Sequence, residues 1–211
     1  MNTPQKSILW SAVERFSVQG IQFLLTLVIA RYLTPADYGL VAMLSIFMAV
    51  AQTFIDSGFG AALIQKQDRN EVDYSTVFYF NIAISVALYL TLYLVSPWIS
   101  EFYHEPQLKL LTRVIGLNLI ISAFSLIQFT ILNVKYDFKT LSKASLTAVC
   151  ISGILGITMA VRGFGVWTLV CQTLLNNILN VSILWIITKW RPRLVFSIIS
   201  FNRLFGFGSK L

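Results

Sequence analysis

Charged residues are scarce in this sequence. Only 12% of its 211 residues are Asp, Glu, Lys or Arg, against 56% that are hydrophobic, and the mean hydropathy is +0.74. A water-soluble domain of this length needs a polar surface that so few charges cannot supply, so lipid must be the solvent. Cysteine is scarce as well. Cys150 and Cys171 lie inside apolar runs without CxxC spacing, which supports neither a disulfide framework nor a metal site and reads as two buried small hydrophobes. The one histidine, His104, has Glu101 and Glu105 near it in a short loop, a poor ligand set for a metal. There is no glycine-rich phosphate loop, no H-E-x-x-H and no G-x-S-x-G, so no catalytic residue, metal or cofactor is expected. Loops long enough to hold a soluble catalytic domain are missing too.

What is present is a series of apolar stretches. A bilayer core of about 30 Å needs about 20 apolar residues per helix, and six stretches meet that length: 8–30, 38–64, 75–99, 110–134, 144–161 and 165–188. The expected fold is all-α, a polytopic transmembrane bundle of about six spans. The breaks carry helix-start chemistry. In Thr34-Pro35-Ala36-Asp37, Thr34 reads as N-cap, Pro35 as the first helical residue and Asp37 as the capping-box acid; Pro106 is expected to start the fourth span likewise. Gly163-Phe164-Gly165 is so short a joint that the last two spans should form a tight antiparallel hairpin. Lys6 precedes the first apolar run with no small-x-small cleavage pattern behind it, which reads as a retained span.

The net charge of +7 sorts by loop and does not indicate nucleic acid. With the N-terminus inside, the inner side holds Lys6, Lys66, Arg69, Lys135, Lys139, Lys143, Lys189, Arg191, Arg193, Arg203 and Lys210, against Arg31, Lys109, Arg113 and Arg162 outside. That asymmetry predicts a cytoplasmic N-terminus. Residues 1–190 then form a six-span lobe, and 191–211 a basic, amphipathic cytoplasmic segment leading to a seventh span that these residues do not include. The tryptophans Trp10, Trp98, Trp167, Trp185 and Trp190 fall near span ends and read as interfacial anchors. The loop acids Asp68, Glu71 and Asp73 read as a solvated loop beside Lys66 and Arg69, with Asp73 placed to cap the third span.

Charges inside a span are costly and need partners or a hydrated cavity. Glu14, Arg15 and Asp56 qualify, and Arg15 and Asp56 fall at similar depth, so a pair between them is geometrically open: either an ion pair joining two helices or part of a substrate or ion site. Uncharged polar residues form stripes at helical spacing: Arg15, Gln19, Gln22 and Thr26 in the first span, Asn118, Ser122 and Ser125 in the fourth, Gln172, Asn176 and Asn180 in the sixth. One such stripe reads as helix-packing glue; three point to a shared hydrated cavity. Lys109 and Arg113 at the outer end of the fourth span form either an anion-attracting rim or a pair snorkelling to water.

The segment Ala30-Arg31-Tyr32-Leu33-Thr34-Pro35-Ala36-Asp37-Tyr38-Gly39-Leu40, followed by Asp56-Ser57-Gly58-Phe59-Gly60-Ala61-Ala62-Leu63-Ile64-Gln65, Gly163-Phe164-Gly165-Val166-Trp167 and Phe205-Gly206-Phe207-Gly208, resembles the polysaccharide biosynthesis proteins. These are lipid-linked oligosaccharide flippases of the multidrug/oligosaccharidyl-lipid/polysaccharide exporter superfamily. The resemblance implies the N-terminal lobe of a two-lobed, bacterial inner-membrane exporter, with a second lobe or polysaccharide-assembly proteins as partners beside membrane lipids and no nucleic acid. The implied substrate is an undecaprenyl-diphosphate-linked oligosaccharide, turned to the outer leaflet by alternating access. Arg15 is the expected diphosphate contact, with Arg31 and Arg113 as further ones. Gln19, Gln22, Asn118 and Asn176 would bind substrate, and Glu14 or Asp56 would couple a proton or sodium ion. A small-cation exporter of the same superfamily, or a non-transporting half-length remnant, is the alternative reading. A membrane polymerase or glycosyltransferase would need a larger loop or an acidic catalytic cluster.

Overall fold

A computed structural model describes the backbone of residues 3–56, 59–66 and 68–208 and the side chains of 16–55, 59–66 and 68–204. It is all-helical among the described residues: α1 (Thr3–Ile29), α2 (Pro35–Asp56), α3 (Phe59–Gln65), α4 (Glu71–Phe102), α5 (Gln107–Ala123), α6 (Leu126–Val134), α7 (Phe138–Val161), α8 (Val166–Thr188) and α9 (Ile198–Gly208). Among the described residues, five helical stretches are long and apolar enough to cross a membrane: α2 with α3, α4, α5 with α6, α7 and α8; a shorter apolar stretch, Phe16–Ile29, belongs to α1.

The helix starts follow local chemistry. Thr34 and Asp37 exchange bonds, the Thr34 amide donating to Asp37 Oδ2 at 2.9 Å and the Asp37 amide to Thr34 Oγ1 at 3.3 Å, which is the capping box expected ahead of α2. Pro106 sits at the N-cap of α5, one position before the helix, and no side chain caps that end. The third span starts earlier than its apolar run. Asn70 is the N-cap of α4 and Asp73 its third residue, each side chain accepting from the other's amide. Asp73 is buried and ion-paired with Lys66, so only Asp68 and Glu71 of that acidic trio are solvent-facing. The joint between α7 and α8 turns on Gly163 (φ 77°) and Gly165 (φ 54°), a left-handed backbone that glycine adopts without strain. A Cβ on Gly165 would stand 3.0 Å from Asp37 Oδ1. The hairpin joint therefore rests on the capping box of α2, and two motifs far apart in sequence meet.

The fourth span is broken rather than continuous. At Phe124–Ser125 the backbone bonds tighten to i→i+3, with Ser125 N donating to Ser122 O at 3.0 Å. Ser122 and Ser125 hydroxyls also bond to carbonyls of their own helix, a back-bonding that bends helices. The Phe124 carbonyl accepts from Trp185 Nε1 at 2.8 Å. A polar backbone group left open inside a bilayer costs several kcal/mol, so the Trp185 indole also joins α8 to the break in the fourth span. Trp167 packs into a core cluster and Trp190 donates to Glu71 Oε2 at 2.9 Å. Trp98, at 68% exposed, keeps an anchor's position; the Trp10 side chain lies outside the described residues.

Antiparallel succession of the spans gathers Lys66, Arg69, Lys135, Lys139, Lys143, Lys189, Arg191, Arg193 and Arg203 at one end and Arg31, Lys109, Arg113 and Arg162 at the other. One core cluster, with Phe59, Leu63, Phe78 and Ile127, lies toward the basic end; another, with Leu44, Leu108, Leu111 and Val170, toward the opposite end. Cys150 is exposed on α7 and Cys171 half-buried, which corrects the expectation that both are buried: in a lipid-solvated bundle the outer face is apolar too.

Candidate functional site

Helix α1 packs along α7, α7 along α8, and α2 against α4, α5 and α8. Between α1, α2, α7 and α8 this leaves a cavity of about 350 Å³ lined by Gln22 and Thr26, Tyr38 and Val41, Val149 and Ser152, and Leu169, Gln172, Thr173 and Asn176. Among the described residues no charged one lines it, and its polar groups are amides and hydroxyls. From Leu169 to Asn176 it extends about 10 Å along α8 at about 1.5 Å per residue, in the half of the bundle away from the basic end.

Two of its polar atoms, Tyr38 Oη and Asn176 Oδ1, are buried without a hydrogen-bond partner. Such an atom costs about 1–3 kcal/mol when left unsatisfied, and both belong to residues that line the cavity. Thr26 and Thr173 bond to their own helices, as hydroxyls in bilayer helices commonly do.

Close helix approach shapes this space. A Cβ on Gly153 of α7 would overlap the Leu25 side chain, and one on Gly156 would stand 3.0 Å from the Gln172 amide and 3.2 Å from Ile29. The pair Gly153 and Gly156 lets α1 and α8 approach α7 together and aims Gln172 at the cavity. Sequence reasoning missed these glycines, and also Tyr38 and Ser152 as lining residues. A small residue repeated at helical spacing inside an apolar span was the signal available.

Of the residues singled out from sequence, Gln22, Thr26, Gln172 and Asn176 line the cavity. Gln19 is exposed on α1 and Arg31 is exposed in the turn before α2. Asn118 lies elsewhere, accepting from Asn177 Nδ2 at 2.6 Å between α5 and α8, and Asn180 donates to Ser145 at 3.3 Å. Arg113 is occupied at the α4–α5 contact. Its Nε donates to Ser96 Oγ at 2.9 Å and its guanidinium lies 4.0 Å above the Tyr93 ring. Ser96 in turn donates to the Tyr93 carbonyl at 2.7 Å, the acceptor that Pro97 cannot serve because proline lacks an N–H. Two stripes thus converge on one cavity, while the third is used in packing. The side chains of Glu14, Arg15 and Asp56 lie outside the described residues, and with them the Arg15–Asp56 pair.

Spans of membrane length around a polar internal cavity define a multi-pass helical membrane protein. The chain belongs to the polysaccharide biosynthesis protein family, matching its pattern over residues 28–211. It is 30% identical over 203 residues to the teichuronic acid biosynthesis protein TuaB of Bacillus subtilis, covering 95% of this chain and 42% of the relative. It is 23% identical to the succinoglycan biosynthesis transport protein ExoT of Rhizobium meliloti, covering 93% and 40%, and 21% identical to the lipopolysaccharide biosynthesis protein WzxC of Escherichia coli, covering 96% and 42%. The chain therefore spans about two fifths of the length of these relatives. No solved structure matches it.

Proposed function

We propose that the chain is one lobe of an inner-membrane translocator that moves an undecaprenyl-diphosphate-linked oligosaccharide to the outer leaflet for surface polysaccharide assembly. It works by alternating access against a second lobe, with the N-terminus in the cytoplasm. The observation that carries this is the cavity whose described lining joins amides and hydroxyls to a few apolar side chains, with no described charge, and with Tyr38 Oη and Asn176 Oδ1 unsatisfied. Sugars are bound through many neutral hydrogen bonds, and such a lining supplies both donors and acceptors. Gln22 and Asn176 contact the glycan. Arg15 contacts the diphosphate, since arginine pairs with phosphate oxygens through two parallel bonds; Arg31, exposed at the mouth between α1 and α2, attracts it. Glu14 or Asp56 couples an ion. The membership of a family described as polysaccharide biosynthesis protein, and a relative named as a transport protein, support the same reading.

The competing reading, a small-cation exporter, calls for carboxylates in the cavity, and among the described residues none lines it. The test is genetic. A deletion strain should accumulate lipid-linked repeat units on the cytoplasmic face and lose surface polysaccharide. The wild-type gene should restore it, Arg15→Lys in part and Arg15→Ala not at all. Unchanged surface polysaccharide in the deletion strain overturns the function, and full complementation by Arg15→Ala removes Arg15 from the site.

A further inference from the structure

A second cavity, of about 430 Å³, lies at the basic end between α3 and α9 and is lined by Ala62, Gln65, Lys66, Arg203 and Leu204. Its position is set by the segment after α8. The Arg193 amide donates to Ser75 Oγ at 3.0 Å and the Ser197 amide to Thr76 Oγ1 at 3.1 Å, tying that segment to the first turns of α4. Phe201 of α9 then packs on Phe59 and Phe80, with ring centroids 5.7 and 4.7 Å apart, and Leu204 is buried. Among the described residues of this segment, Leu194, Ile198 and Ile199 are 93%, 68% and 76% exposed. Exposed aliphatic residues beside a basic helix end are the pattern of a segment lying in the headgroup layer of a bilayer.

The cationic groups in and around this cavity are not equally engaged, and only Lys66 and Arg203 line it. Lys66 is neutralised by Asp73, and Arg69 is held by the carbonyls of Leu63 and Ile64 at 3.1 and 3.0 Å. Arg203 has no ion pair or hydrogen bond among the described residues. One free guanidinium above an apolar floor of Ala62 and Leu204 matches a group with one negative charge joined to a hydrocarbon chain. From this we infer that the α3–α9 cavity is a binding site for an anionic phospholipid of the adjacent leaflet. Its phosphodiester sits on Arg203 beside Lys66, and an acyl chain enters between α3 and α9. The net charge of one favours a phosphodiester over a diphosphate, so this site is separate from the proposed translocation path.

The test uses the full chain in mild detergent, with bound lipid counted by native mass spectrometry after exposure to phosphatidylglycerol or phosphatidylcholine. One phosphatidylglycerol per chain should be retained in preference to phosphatidylcholine. Arg203→Gln should lower that retention about fivefold, since a basic residue near an anionic surface contributes about that factor. Lys143→Gln, at the same end on α7, should change it less than twofold. Equal retention of the two lipids, equal loss in both variants, full retention in Arg203→Gln, or displacement of phosphatidylglycerol by an equimolar polyprenyl diphosphate would each overturn the inference. It does not depend on transport, so its failure leaves the proposed function standing.

Discussion

The α4–α5 side of the bundle and the α1–α2–α7–α8 cavity contain similar residue types and use them in opposite ways. On the first side Arg113 bonds Ser96, Ser96 serves the carbonyl freed by Pro97, and Asn118 pairs with Asn177. In the cavity Tyr38 and Asn176 carry buried oxygens without partners. The two sides do not divide cleanly, because Asn81 Nδ2 and Ser85 Oγ of α4 are also buried without partners; what sets Tyr38 and Asn176 apart is that these residues line a cavity. Satisfied polar groups hold helices together, and unsatisfied ones on cavity-lining residues lie beside the space a ligand would fill.

Substitutions on the two sides should therefore fail differently. The largest effect is expected at the buried ion pair of the basic end. Asp73→Ala removes the partner of Lys66 and half of the α4 capping box, and should lower stability by about 3 kcal/mol, read as a large drop in thermal unfolding midpoint in detergent. A midpoint within 1 °C of wild type would show that this pair is not structural. Smaller and more informative is the pair Asn118→Leu and Asn176→Leu. The first strands Asn177 and should cost about 1 kcal/mol. The second removes an unsatisfied oxygen and should leave stability unchanged while reducing complementation. Equal thermal shifts for the two would erase the distinction between the sides.

Local signals carried much of the fold. The capping box at Thr34–Asp37 and the turn at Gly163–Gly165 need only residues adjacent in sequence, and both are legible there. The break at Phe124–Ser125 was not, because no proline or glycine marks it and its open carbonyl is served by Trp185 from 61 positions away. The capping role of Asp73 was legible, but its burial was not, because that depends on Lys66 folding back over it. For the cavity, the polar stripes of α1 and α8 pointed to the right faces. That the α5 stripe faces Asn177 instead depends on which helices neighbour one another, and hydrophobic periodicity does not encode that. Burial of Cys150 was misjudged because apolar runs face lipid as readily as protein.

The central claim is that the space between α1, α2, α7 and α8 is a hydrated path, whereas the Asn118 stripe is taken up in hydrogen bonds within and between helices. It is tested most directly by water-soluble maleimide labelling in a background with Cys150 and Cys171 replaced by Ser. Asn176→Cys should react in membranes and be protected by lipid-linked oligosaccharide, while Asn118→Cys should remain unlabelled. Labelling of Asn118→Cys at the same rate, or no labelling of Asn176→Cys, would contradict the account.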